Sequence, residues 1–214
     1  MTLFVQLFVV LPLLVMAVVL HEVAHGYVAY RLGDPTARQL GRLSLNPLVH
    51  VDLWLTVIIP LGLILAGSPV IFGGAKPVPV NPLFFQNPRR GMVWVAIAGP
   101  LTNFALAAIF LGALMGVNLL IGESSSLAFL WVIASFVLGF GVLINVVLAV
   151  FNLFPVPPLD GGRIAVGLLP LRLARPLARL EPYGILIVIL LLFAGVFERF
   201  LGPVLNFIGQ YIPQ

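Results

Sequence analysis

Val18-Val19-Leu20-His21-Glu22-Val23-Ala24-His25-Gly26-Tyr27-Val28-Ala29-Tyr30 closes an apolar run that begins at residue 3. Crossing the hydrocarbon core of a bilayer takes about 20 such residues. The run is too long for a secretory leader, has no basic segment before it and shows no clear cleavage site. It therefore reads as a membrane helix with two histidines and one carboxylate inside it. On a helix, positions i and i+4 share a face about 6 Å apart. Two imidazoles so placed can bind one divalent ion, and Glu22, next to the first, can reach a water on that ion as general base. Glu22 is the only acidic residue within the long apolar helices. A carboxylate at the bilayer centre costs at least about 2.5–3.5 kcal/mol, which marks the cluster as a candidate functional site. The competing reading is a polar clamp between helices. Eighteen residues from Leu3 to His21 rise roughly 27 Å, and His25 to Arg31 roughly 9 Å, which sets the cluster below the surface on the Arg31 side. Pro12 is expected to kink this helix before the cluster.

Composition agrees with a lipid environment. The chain has 214 residues, of which 61% are hydrophobic and 8% charged; mean hydropathy is +1.17. An average soluble domain of this size would carry roughly 53 charged residues, against 11 basic and 7 acidic ones here. That deficit excludes a water-soluble globule and a disordered chain alike. The net charge of +4 does not point to nucleic acid, because the basic residues sit between apolar blocks with no aromatic interleaving. The chain has no cysteine, so a bound metal must use His, Asp or Glu.

Further apolar runs cover residues 53–66, 92–120, 127–153 and 183–197, with a basic amphipathic stretch at 163–179 and a weak interfacial helix at 200–212. The expected fold is an all-α polytopic membrane protein, a bundle of about 5–6 membrane helices with a small re-entrant or β-like segment near the site. Residues 1–214 form a single domain, with core motifs at 20–165 and C-terminal helices at 163–214. Arg31, Arg38 and Arg42, then Lys76, Arg89 and Arg90, then Arg163, Arg172, Arg175 and Arg179 mark cytoplasmic loops, and the loop with Glu123 lies outside. The run at 53–66 is then too short and of the wrong parity to cross, so residues 51–88 read as a re-entrant excursion. Its return leg, 68–82, is rich in Gly, Pro and Val and cannot be helical. Such backbone at membrane depth lies buried in protein or lines water. Arg172, Arg175 and Arg179 share one helix face suited to anionic lipid.

A catalytic zinc normally has three protein ligands and one open position. Asp160 follows the extended, proline-rich Asn152-Leu153-Phe154-Pro155-Val156-Pro157-Pro158-Leu159 and is a candidate third ligand. Taken alone, it reads more readily as an ordinary N-cap for a helix beginning near Arg163. His50 and Asp52 compete for the ligand role.

With these pieces in order, the chain resembles the site-2 protease family of intramembrane zinc metalloproteases, in its compact prokaryotic form without a PDZ domain. The resemblance rests on His21-Glu22-Val23-Ala24-His25, on Gly74-Ala75-Lys76-Pro77-Val78-Pro79-Val80-Asn81-Pro82, on Gly99-Pro100-Leu101-Thr102-Asn103 and on the 152–161 segment. It implies His21, His25 and Asp160 as ligands of one Zn2+ per chain and Glu22 as the base. It implies hydrolysis of peptide bonds in transmembrane or membrane-proximal protein segments, in a multi-pass protein of a prokaryotic cell membrane with its site toward the cytoplasm. Asn152 is linked by the resemblance to substrate handling. Asn103, which could hydrogen-bond freed substrate backbone, and Val78 and Val80, on a possible strand edge, are further candidate substrate contacts. A membrane metal-ion carrier or an inactive membrane scaffold are the alternative functions; the carrier would be expected to show repeats, and none is visible.

Overall fold

A computed structural model describes residues 6–59, 62, 65, 74–121 and 127–209. The described chain is helical, with no strand among the described residues. Helix α1 spans Leu11–Arg31 and continues a π-helical turn, Gln6–Val10. Short α2 covers Thr36–Gln39. Helix α3 spans Pro88–Leu120, α4 Ala128–Asn152, α5 Asp160–Leu168, α6 Leu171–Ala178, α7 Gly184–Phe193 and α8 Val196–Gly209. Four stretches are long and apolar enough to cross a membrane: 8–31, 88–120, 128–152 and 171–193. The chain is a multi-pass membrane protein.

Pro12 stands at the start of α1, where the π-helical turn Gln6–Val10 passes into α-helix. The run at 183–197 is not one helix. It breaks after Phe193, where Gly195 takes φ +69 before α8 begins. The fourth apolar stretch starts instead at Leu171 and takes in the arginine-bearing α6, whose Arg172 and Arg175 are exposed.

Helix α1 runs antiparallel to α3. Ala29 packs with Val95 and Phe85, and nearer the start of α1 the Ala17 carbonyl accepts from Asn103 Nδ2 at 3.3 Å. Arg31 and Arg89 therefore lie at one end of the bundle, and the connection between them returns to its starting side. Within it Leu53–Ile58 is a π-helical turn. Residues 74–81 are extended and lie against α1, while 68–73 fall outside the described residues, as does Glu123. Helix α4 turns back along α3: Asn145 meets Asn103, and Trp131 Nε1 donates to Asn118 Oδ1 at 2.8 Å. The outer surfaces are apolar, with Leu101, Ile109, Leu119 and Phe129 exposed, and the interior holds Asn103, Asn145 and Ser135 fully buried. Apolar outside with polar inside is the pattern expected where lipid replaces water.

Candidate metal centre

The i, i+4 spacing does what helical geometry requires. His21 and His25 project from one face of α1 toward α3, both buried, with their Nε2 atoms 3.0 Å apart. Asp160 arrives from the other side of the sequence. Its helix N-cap is Leu159, and the Asp160 carboxylate makes no capping bond. The carboxylate turns inward instead, with Oδ2 3.1 Å from His21 Nε2 and 3.2 Å from His25 Nε2. The tight entry into α5 depends on Gly161 and Gly162. A Cβ there would lie 2.1 Å from the Leu153 carbonyl oxygen and 2.2 Å from Pro157 N. At its far end, Arg89 donates to the Val166 and Leu169 carbonyls at 3.1 and 2.5 Å, a cation closing the last turn of the helix.

The tautomers of both rings follow from their partners. Asn103 Nδ2 donates to the Ala17 carbonyl and to Asn145 Oδ1, so its Oδ1 is the acceptor facing His21 Nδ1 at 2.5 Å. His25 Nδ1 faces the Val95 carbonyl at 2.6 Å. Each Nδ1 must carry a hydrogen, and each neutral ring then presents an Nε2 lone pair to the other and to Asp160. Asp160 Oδ2 is buried without a hydrogen-bond donor. Three electron pairs converging at about 3 Å repel one another unless a cation sits among them. A tetrahedral ion at about 2.0–2.2 Å from each donor would set the donors about 3.3–3.6 Å apart, close to the observed spacing. The residues fit a metal.

Gly99 completes the cradle. A Cβ at this position would stand 2.5 Å from atoms of both His21 and His25; only bare backbone lets α3 lie against both rings. Asn145, in turn, donates to the Gly141 carbonyl at 2.9 Å, so a polar chain runs His21, Asn103, Asn145 through the bundle. Sequence reasoning missed Asn145 and the Val95 carbonyl. The first carried a usable signal, an amide in an otherwise apolar helix; the second carried none.

Among the described residues His21, His25 and Asp160 form the one group of His, Asp and Glu side chains whose ligand atoms converge, all within 4.8 Å. His50 and Asp52 are not part of it. His50 Nε2 bonds the Ser44 carbonyl at 2.8 Å, and Asp52 Oδ1 accepts from Trp54 N. Glu22 Oε2 accepts from Val78 N at 2.9 Å. Val78 is buried, and Val80 packs on the Ala29, Phe85 and Val95 cluster. Asn152, the last residue of α4, donates its Nδ2 to the Leu148 carbonyl. Asn103 is fully occupied by His21, Ala17 and Asn145.

Comparison with known proteins agrees with this geometry. The profile of peptidase family M50 matches residues 9–129 and 112–195. A Bacillus subtilis protein named "Putative zinc metalloprotease YwhC" is 40% identical over 198 residues, 90% of this chain and 84% of its own. A Mycolicibacterium smegmatis protein named "Putative zinc metalloprotease Rip2" is 32% identical over 185 residues, 86% of this chain and 66% of its own. A Methanocaldococcus jannaschii protein of the same description, MJ0611, is 41% identical over 70 residues, 33% of this chain and 31% of its own. No solved structure matches. With a buried His-His-Asp cluster on apolar helices and a family profile spanning most of its length, the chain belongs to peptidase family M50, the site-2 protease family.

Proposed function

We propose that this chain is an intramembrane zinc metalloendopeptidase that hydrolyses peptide bonds in transmembrane or membrane-proximal segments of protein substrates. His21, His25 and Asp160 hold the ion and Glu22 is the general base. A zinc ion held there supplies the Lewis acidity that lets water ionise near neutral pH and polarises the scissile carbonyl. Glu22 takes the proton of the attacking water and returns it to the leaving amine. The Asn103 and Val95 carbonyl oxygens hold the two rings in the tautomer that presents Nε2. Asn152 keeps its side-chain carbonyl for a substrate amide freed by unwinding, and Val78 and Val80 line the approach along residues 74–81. Residues 1–214 act as one protease domain. The basic loops at the Arg31 end set the site toward the cytoplasmic side of a prokaryotic cell membrane.

One observation carries this reading: two histidine Nε2 atoms and an aspartate oxygen converge at 3.0–3.2 Å while an acceptor holds each Nδ1. Glu22→Gln is expected to keep about one zinc per chain, read by elemental analysis of purified protein, and to abolish cleavage of a model transmembrane substrate. Undiminished cleavage by that variant ends the reading. Asp160→Asn is expected to lower zinc content sharply.

A further inference from the structure

The connection after α1 buries two charges that the metal centre does not use. Asp34 is fully buried and Arg42 nearly so. Charges inside a protein persist where hydrogen bonds compensate them; each of these two has a partner in residues 76–81, while Arg42 Nε has none. Asp34 Oδ1 accepts from the Thr36 amide at 2.9 Å and from its hydroxyl, which starts α2. Asp34 Oδ2 accepts from the Asn81 amide at 2.6 Å. Arg42 Nη2 donates to the Lys76 carbonyl at 2.8 Å and the Pro77 carbonyl at 3.4 Å. The Lys76 amide donates to the His50 carbonyl at 2.8 Å. Both ends of the segment are thus fastened to the 34–50 connection. At its middle, Val78 stands between Pro77 and Pro79, which have no N–H and a fixed φ. Its amide points at Glu22 Oε2. Gly26, next to His25, makes room: a Cβ there would lie 2.7 Å from Leu43 and 2.8 Å from Val78.

We infer that Asp34 and Arg42 are positioning residues for Glu22. Through residues 76–81 they hold the Val78 N–H on Glu22 Oε2, which fixes the carboxylate and leaves Oε1 to exchange the proton. The segment is a pinned wall beside the base, and at Val78 its edge is already paired. This inference rests on the reading of Glu22 as the base.

The test uses the full chain, zinc-loaded, in lipid nanodiscs. In Asp34→Asn the Thr36 amide and hydroxyl keep their acceptor while the Asn81 amide meets a donor; Arg42→Met, which has no donor, releases the other end. Each variant is expected to speed hydrogen exchange of the peptide containing Val78 by about tenfold, with α1 and α3 and the zinc content unchanged. For the model substrate, kcat falls about tenfold while KM stays within about twofold, and Arg42→Lys, which keeps a donor, recovers most of the loss. Glu22→Ala, which needs no activity to be read, frees the same amide. Unchanged exchange at Val78 in these variants overturns the inference. So does faster exchange with kcat intact, a rise in KM alone, or loosening of the whole fold in both Asp34→Asn and Arg42→Met. A zinc-loaded wild type that cleaves nothing overturns the protease reading instead, and the exchange of Val78 in Glu22→Ala still reports on the clamp.

Discussion

The two halves of the α3–α4 pair are built on opposite rules. Toward the metal centre, each buried amide or imidazole has a named partner: His21 with Asn103, Asn103 with Asn145, His25 with the Val95 carbonyl. In the other half the buried contacts are apolar and shape-driven, and the Trp131–Asn118 hydrogen bond lies exposed. Gly141 lies under the Phe110 ring, Leu114 is buried, and Ser135 Oγ is buried with no hydrogen-bond partner. Both halves sit among the same helices in the same lipid. The difference lies in what they hold: one half must orient donor atoms toward a point, the other must only bring two helices together.

Substitutions at matched positions test that division. Gly99→Ala is expected to have the largest effect. Its methyl would stand 2.5 Å from both rings, so zinc content should collapse and cleavage fall about a hundredfold or more; a normally loaded variant would remove the cradle from the account. Asn103→Leu keeps the volume but takes away the acceptor on His21 Nδ1, and competition with a zinc chelator should show affinity lowered about 10–100-fold. Gly141→Ala probes the other half. A Cβ would meet Phe110 at 2.5 Å, and thermal unfolding in detergent should show a loss of about 1–3 kcal/mol with zinc affinity untouched. A drop in zinc affinity there would mean that the halves are coupled. Ser135→Ala removes a hydroxyl that bonds nothing and should change stability by no more than about 0.5 kcal/mol.

The parts of this molecule legible from sequence were those governed by spacing along one element. The apolar runs located α1, α3 and α4, and four residues between His21 and His25 placed both rings on one face. The antiparallel return of α3 along α1 could be argued from where the arginines fall. What could not be read depends on groups without a sequence signature of their own. The Val95 carbonyl is identical to every other carbonyl until packing selects it. Gly26 resembles the other glycines of the apolar helices, and the motif that holds Gly99 does not say what it touches; only the neighbouring element shows the contact. Apart from the family resemblance, Asp160 looked more like a helix cap than a ligand, because the proline-rich turn that aims it inward is a three-dimensional fact. Arg42 read as an ordinary loop charge and Asp34 carried no signal; their burial comes from residues 76–81 folding over them. Hydropathy also misplaced the C-terminal break, since it averages across Gly195 and does not see its left-handed backbone.

The bare patch of α3 backbone under the two rings has a use beyond this chain. Any homologue whose histidines and aspartate are intact but whose counterpart of Gly99 bears a side chain would have no room for the ion in this arrangement. A single alignment column then separates working members from degenerate copies that keep the familiar motif as a relic.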